Sequence, residues 1–423
     1  MRIAFFTDTF LPQINGIATS IAGLADELGR QGHHVLIIAP SVKGVPMHEK
    51  RSQRVTVVRL KSVPLLLYPD YRIALPRWRK IFRELREFSP DIIHFHTPFT
   101  MGLQALLASK ILKKPLVGTN HIYLTPDNPD FTKCVPVGNR LIGKIVAKSF
   151  ARYFRLLYHP CALRTAPSQV LVDCLRKEGI VRNAEILPNG LSPYLFGNPS
   201  ATEEKAMRQR FRLEPHVVVH MGRLSPEKSP EIVIRAFALV RQHRSDVSLL
   251  IIGDGPAKRG LERLTKKLGL EQHVHFTGMI PHEKLLASGM LCIADLFVTA
   301  STTESQGMAL VEAMFSGLPI VCVRGGAAEE VVGKAALIVK PGDTEGMAKA
   351  IERVLATPLL AKSLSMAGRK RAPDFRIDRV VSGLTRLYTD LLARKFPAPQ
   401  TRIHRSLAAA FTLTSAVLRR KKR

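Results

Sequence analysis

The chain lacks any apolar run approaching the ~20 residues that a membrane-spanning helix needs. That excludes a helical span and leaves, for any membrane contact, only attachment at the surface. Cysteine is scarce. The five thiols (Cys134, Cys161, Cys174, Cys292 and Cys322) are odd in number and show no paired spacing. A disulfide framework and a zinc site are thereby disfavoured, and a reducing compartment fits. Aromatics make up 6% of the chain, with one tryptophan, and they do not interleave with basic residues as in nucleic-acid modules. Acidic residues are also few: 34 against 63 Lys and Arg, for a formal net charge of +29. Such a field does not select a fold, but it favours polyanions or anionic membrane surfaces. The strand-like Arg2-Ile3-Ala4-Phe5-Phe6 follows Met1 directly, so no signal peptide is expected and the cytoplasm is the expected location.

What is present is alternation. Short apolar runs at 3–6, 35–39, 55–60, 92–95, 116–118, 163–165 and 185–187 alternate with helical patterns at 18–30, 78–88, 102–112 and 169–178. The pattern restarts with a strand at 217–221, a helix at 230–242 and a strand at 249–252. It continues with a helix at 258–268, strands at 274–276 and 296–299, a helix at 308–315 and a strand at 320–322. Alternation of this kind predicts mostly parallel sheets covered on both faces. At 423 residues the chain can bury two cores. The Pro-, Gly- and Ser-rich stretch 191–206 reads as the joint between them. The expected division is a first unit over 1–195 and a second over 196–376. The helical stretch 377–395 is long enough to cross between them, and a basic amphipathic tail over 396–423 follows. Ligands of doubly wound sheets bind beyond the C-terminal strand ends, so a cleft between two such units is the expected site.

The most informative segment runs from Thr303 to Met314. Glu304 and Glu312 flank a helix opened by Gly307-Met308. A helix N-terminus presents free backbone N–H groups and a positive dipole end to phosphate. A carboxylate two turns in can accept paired hydrogen bonds from ribose, and one just before the helix can do so from sugar hydroxyls. Arg223 and Lys228 follow the first strand of the second unit and offer a bidentate fork and a compact ammonium for a diphosphate. Cations there would stabilise a departing nucleoside diphosphate more than its ground state. The bland alternative for the glutamates is an ordinary surface helix; the cations in isolation read as a solvated basic pair, and it is their placement beside Glu304 and Glu312 that favours the diphosphate.

Thr7-Asp8-Thr9-Phe10-Leu11-Pro12-Gln13-Ile14-Asn15-Gly16, Tyr68-Pro69-Asp70-Tyr71-Arg72, His94-Phe95-His96-Thr97 and Thr119-Asn120-His121 accompany that segment in the first half. Pro188-Asn189-Gly190, Gly222-Arg223-Leu224-Ser225-Pro226-Glu227-Lys228 and Gly253-Asp254-Gly255-Pro256 follow. In this combination the chain resembles the retaining glycosyltransferases of family four, most of all the diacylglycerol glucosyltransferase branch. The resemblance implies the GT-B fold: two doubly wound Rossmann-like domains facing a central cleft, 1–195 as the N-terminal acceptor and membrane-facing domain and 196–376 as the nucleotide-sugar domain, with the C-terminal helix 377–395 crossing back to the first. It also implies roles. Arg223 and Lys228 contact the donor diphosphate, Glu304 faces the hexose, Glu312 holds the ribose, and His121 lies near the reaction centre. Together with Gly16, Ser305, Gln306, Gly307 and Met308, these cations and acids form the expected donor site. His121, Glu304, Arg223 and Lys228 are the candidate catalytic set. The reaction needs no cofactor or metal beyond the nucleotide-sugar co-substrate, and a front-face displacement is the expected route.

His94 and His96 have no carboxylate or cysteine at ligand spacing and read as cleft or packing residues. After Gly325-Gly326 the family often has two residues and then one glutamate; here Glu329 and Glu330 both follow, which leaves the register ambiguous, and neither is assigned a role. Arg140, Lys144, Lys148 and Arg152 recur every fourth position and Arg155 follows, within an acid-free, apolar-rich stretch 136–158. This reads as a basic amphipathic helix on an anionic membrane; the plain alternative is a core helix with a solvated edge. Tyr71 and Arg72 are expected near the acceptor groove. Diacylglycerol is the preferred acceptor and UDP-glucose the preferred donor. Phosphatidylinositol, another polar lipid, or a soluble or polyprenyl-linked glycan remains open as acceptor. A sugar-nucleotide 2-epimerase fits the motifs less well. A nucleic-acid-binding protein would leave the motifs unexplained.

Overall fold

The computed structural model describes residues 1–13, 15–64, 72–122 and 140–394, with the side chains of 140–147 outside that description. Tyr71 and the tail 396–423 therefore lie outside the described residues, as do the side chains of Arg140 and Lys144.

Uniformly apolar runs become parallel strands because helices cover both faces and polar alternation would bury unpaired groups. In the first sheet the order is Glu185–Ile186, Leu163–Ala166, Leu116–Thr119, Ile92–Phe95, Arg2–Phe6, His34–Pro40, Val55–Leu60 and His48–Lys50. Neighbours are parallel except the last pair. The second sheet runs Val274–Gly278, Val247–Ile252, His216–Met221, Leu296–Thr299, Ile320–Val323 and Ala336–Val339, all parallel. Within that unit this is the third, second, first, fourth, fifth and sixth strand in chain order. The direction of winding reverses between His216–Met221 and Leu296–Thr299, and the loops leaving these two strands part to open a crevice. The corresponding reversal in the first sheet lies between Arg2–Phe6 and Ile92–Phe95.

The last described helix, Ile377–Ala393, crosses back to the first unit. Its Val381, Leu384 and Tyr388 share a buried cluster with Ile21 and Leu28 of helix Gly16–Arg30 and with Ile3 and Phe5 of the first strand. Leu191 guides it there. Its N–H donates to the Phe375 carbonyl at 2.8 Å, and Ile377 N–H donates back to Leu191 O at 3.0 Å. The stretch 191–206 is more ordered than its composition suggests. A short turn at Pro193–Leu195 leads into helix Ala201–Arg210, which Ser200 and Glu203 open as a capping box.

Helix Arg140–Tyr158 gives the membrane reading of 136–158 a different outcome over its second half. Phe154, Leu157 and Tyr158 are buried in the first core, Phe150 and Tyr153 pack against it, and the Tyr153 hydroxyl donates to Phe99 O at 2.8 Å. Arg155 donates to Glu178 O at 2.7 Å. The apolar face of these turns is thus occupied by the sheet, while Lys148 and Arg152 remain exposed on the opposite edge.

Gly190 is the tightest point of the crossing, because a Cβ there would meet Ile377 Cδ1 at 2.6 Å and Cα at 2.7 Å. Gly190→Ala is expected to destabilise the protein by ~1–3 kcal/mol, the usual range for overpacking. Chemical denaturation would measure this; an unchanged midpoint would show that the crossing helix can shift to make room.

Candidate active site

The crevice of the second sheet is bridged by charge. The loop 222–229, leaving His216–Met221, carries Arg223 and Lys228; the loop 300–307, leaving Leu296–Thr299, carries Glu304. Lys228 Nζ donates to Glu304 Oε1 at 2.6 Å. The two loops also meet where the Thr303 hydroxyl donates to Glu227 O at 3.4 Å. Burial works to raise the Glu304 pKa, but Lys228 and a hydrogen bond from Ser301 outweigh it and hold the carboxyl below its ordinary value. Lys228 carries three N–H donors and gives one to Glu304, so the ammonium has two more to offer an anion. Arg223 is half-buried on the same loop.

Glu304 is held in place from behind. Gly325 and Gly326 pass so close that a Cβ on Gly326 would lie 2.5 Å from Glu304 O, and Ala327 N–H donates to that oxygen at 2.8 Å. Gly307, at φ 86°, then opens helix Met308–Phe315 with no side-chain cap. A Cβ on Gly307 would crowd Leu310 Cδ1 at 2.9 Å, which only glycine avoids at that angle. The first N–H groups of an uncapped helix are donors for an anion. Met308 faces Gly16 across the cleft: a Cβ on Gly16 would sit 3.6 Å from Met308 Cγ. One turn into the helix, the buried Glu312 accepts from His282 Nε2 at 2.8 Å. Burial opposes the charge on His282, yet this bond and the nearby carboxylates raise its pKa overall. His282 was not marked by any sequence motif; it is a lone histidine after Pro281, and only the fold brings it to Glu312.

Ser305 and Gln306 form a seam between the units. The Ser168 hydroxyl, N-cap of helix Gln169–Lys177, donates to Ser305 O at 2.6 Å. Gln306 accepts from Asn189 N–H at 2.6 Å and donates to Asn189 O at 3.0 Å. Its amide is therefore engaged with the first unit, although the resemblance places it among donor contacts. Glu330 joins the seam by accepting from Gln169 and Val170 N–H at 2.8 and 3.1 Å. Glu329 lies 3.2 Å from Arg324. The two acids whose register was ambiguous thus separate into a seam residue and a surface ion pair.

Across the cleft, His121 follows strand Leu116–Thr119 and is buried. His96 Nδ1 lies 3.4 Å from His121 Nε2, and His96 stacks on His94 with ring centroids 4.1 Å apart. His94 is fully engaged, within 2.6 Å of both the Tyr388 hydroxyl and the Thr119 hydroxyl. Burial lowers His94 to about 3 and His121 to about 4, the latter against the opposing influence of the neighbouring Asn189 side chain. Nearby, the Asp8 carboxylate accepts from the Thr97 and Thr100 hydroxyls at 2.7 and 2.6 Å and from Met101 N–H at 3.0 Å. Burial outweighs these bonds and pushes its carboxyl up to about 6. Asp8 anchors helix Thr100–Leu112 at the crevice of the first sheet and also receives Arg72 N–H at its carbonyl, at 3.4 Å. Arg72 Nε donates to the Ser62 hydroxyl at 2.8 Å, in the ribbon formed by Ser62–Pro64 and Arg72–Ala74.

Two doubly wound units, each with its crevice turned to one cleft, make the GT-B architecture of glycosyltransferases. Structural comparison agrees: sucrose-phosphate synthase from Thermosynechococcus elongatus superposes with a TM-score of 0.76 at 20% identity, covering 93% of this chain and all of that one. Residues 14–194 match the profile described as Glycosyltransferase Family 4, and residues 202–371 match Glycosyl transferases group 1. The chain is 30% identical to the alpha-monoglucosyldiacylglycerol synthase of Streptococcus pneumoniae, over 90% of this chain and 87% of the relative. It is 28% identical to a GDP-mannose-dependent alpha-(1-6)-phosphatidylinositol monomannoside mannosyltransferase of Mycolicibacterium smegmatis, over 87% and 93%. The chain belongs to glycosyltransferase family four.

The buried imidazole of His121 sets a pH signature. Its folded pKa of about 4 lies below the ordinary 6.5, so the unfolded chain takes the proton first as pH falls. This contribution to stability is complete above pH 6.5 and is lost as pH drops through about 4. NMR titration is expected to show His121 neutral from pH 6 to 8; a midpoint near 6.5 would mean the ring is hydrated.

Proposed function

We propose that this glycosyltransferase moves glucose from UDP-glucose to 1,2-diacylglycerol with retention of configuration. The observation that carries the donor half is the Lys228–Glu304 pair at the crevice, beside an uncapped helix N-terminus. As the bond from the anomeric carbon to the diphosphate breaks, negative charge gathers on the leaving oxygens. Lys228, Arg223 and the N–H groups of Met308 and Ala309 meet it there, which lowers the barrier more than it tightens ground-state binding. Glu304 orients the hexose hydroxyls, with Ser305 and Gly307 shaping the loop, and Glu312, oriented by His282, accepts from the ribose. Gly16 lets the opposing backbone approach the donor.

The acceptor hydroxyl must lose a proton as it attacks. His121 is a poor candidate for taking it, since a ring with a pKa of about 4 is a weak base. The leaving phosphate, on the same face as the incoming hydroxyl, takes it instead. His121 serves as a neutral hydrogen-bonding partner. Attack from the face of the departing group retains configuration, and no side chain is covalently modified.

The lipid acceptor is supported by similarity to the pneumococcal synthase, whose name states a glucosyl diacylglycerol product, and by the net charge of +29. No described helix is long and apolar enough to cross a membrane. We place the enzyme peripherally on the cytoplasmic face, where the exposed Lys148 and Arg152 contribute attraction to anionic lipid, ~1 kcal/mol per basic side chain. Tyr71 and Arg72 are assigned to the acceptor side. The mycobacterial mannosyltransferase supports a second reading, GDP-mannose transfer to a phosphoinositide.

Radiolabelled UDP-glucose, UDP-galactose and GDP-mannose, each offered with vesicles containing diacylglycerol or phosphatidylinositol, separate these. Label is expected in diacylglycerol from UDP-glucose alone; mannose in the inositol lipid would establish the second reading. Lys228→Ala is expected to lower kcat ~10²- to 10³-fold, the range for losing one transition-state donor, with the melting temperature little changed. Full turnover in both Lys228→Ala and Glu304→Gln would remove the assigned site.

A further inference from the structure

The buried seam between the units contains a side chain that imitates backbone. Gln306 is 1% exposed. Its carbonyl and amide ends pair with the N–H and carbonyl of one residue, Asn189, as two adjacent strands would. Few side chains can do this, since it takes a donor and an acceptor in one plane at fixed spacing. Asn189 is not an idle partner. Its Oδ1 accepts from Ser20 at 2.8 Å, on the helix that Gly16 opens, and its side chain lies beside His121. On the other side, Gln306 lies two residues beyond Glu304 and directly before Gly307. One amide thus joins the loop that holds the charged pair to the imidazole and the helix across the cleft.

We propose that Gln306 is a positioning residue that couples the donor loop to His121 through Asn189. This rests on the reading of 304–312 as the donor loop. A shift of that loop on engaging a diphosphate would be passed, through two short hydrogen bonds, to the Pro188-Asn189-Gly190 turn. His121 and the start of helix Gly16–Arg30 would then be set together. The flanking contacts, Ser168 to Ser305 and Glu330 to Gln169 and Val170, hold the units side by side but do not reach His121.

The test uses Gln306→Leu, which removes both bonds, and Gln306→Glu, which keeps the volume and one acceptor but sets a carboxylate oxygen against Asn189 O. In both, UDP affinity by calorimetry is expected to stay within about threefold of wild type, while kcat falls ~10- to 100-fold, the effect of a small misplacement at the reacting centre. The double variant Gln306→Leu/Asn189→Ala is expected to be no slower than the slower single variant. The His121 imidazole resonances are expected to move in Gln306→Glu. Loss of UDP affinity in step with kcat would make Gln306 a donor ligand instead. A lower melting temperature with kcat intact would leave it a structural tie, and additive effects in the double variant would deny the coupling. If Gln306→Leu does not fold, Gln306→Glu decides. The resonance shift needs neither nucleotide nor turnover. Unmoved resonances overturn the coupling, whereas a wild type that binds no UDP overturns the donor reading alone.

Discussion

Strand polarity is the constraint on which the rest depends. With every strand of the second sheet parallel, all the loops at its C-terminal edge emerge on one side, and the reversal of winding parts two of them. The Lys228–Glu304 pair spans that parting. The first sheet repeats the device, with Asp8 and Thr97 at its own reversal. Opposed charges are tolerated there because the parting leaves both side chains partly exposed, at 27% and 19%, while the flanking strands are buried. A carboxylate held below its ordinary pKa beside an ammonium, and imidazoles stripped of charge across the cleft, are two outcomes of burial with and without a partner.

Most strands were legible because they are apolar runs, although the last of the second sheet, Ala336–Val339, was passed over, and the helix Met308–Phe315 stands where the glycine and periodicity place it. Three kinds of feature were not. The strands His48–Lys50, Ser62–Pro64 and Arg72–Ala74 are three residues each and carry no period to detect. Helix Ala201–Arg210 was hidden by the Pro, Gly and Ser before it, although Ser200 and Glu203 signalled its start. Residues 136–158 showed a basic stripe but not its surroundings: whether Phe154 and Leu157 meet lipid or a sheet is a tertiary matter, and here they meet the sheet.

The site divides along the same line. Glu304, Lys228 and Gly307 were legible because their chemistry is local to two loops, and the structure brings the first two to 2.6 Å. His282, Asp8 and the seam residue Glu330 draw their meaning from partners distant in sequence. Glu312 and His282 are 30 positions apart, and Glu330 reaches Gln169 over 161. No spacing rule spans such distances. The double role of Gln306 was equally hidden, since a motif match says which residue stands at a position but not what its amide is bonded to.

The hydrogen bond between Tyr388 and His94 joins the final described helix to the heart of the first unit. Residues 294 apart thereby share one core. During synthesis the first unit emerges long before the helix that covers Ile21, Leu28 and Phe5. Its apolar flank must wait, exposed, while some 190 further residues are added (on the order of ten to forty seconds at ordinary elongation rates). Folding of this enzyme is therefore circular rather than serial: the beginning is completed only by the end, and an interrupted nascent chain leaves behind a half with an open, aggregation-prone side.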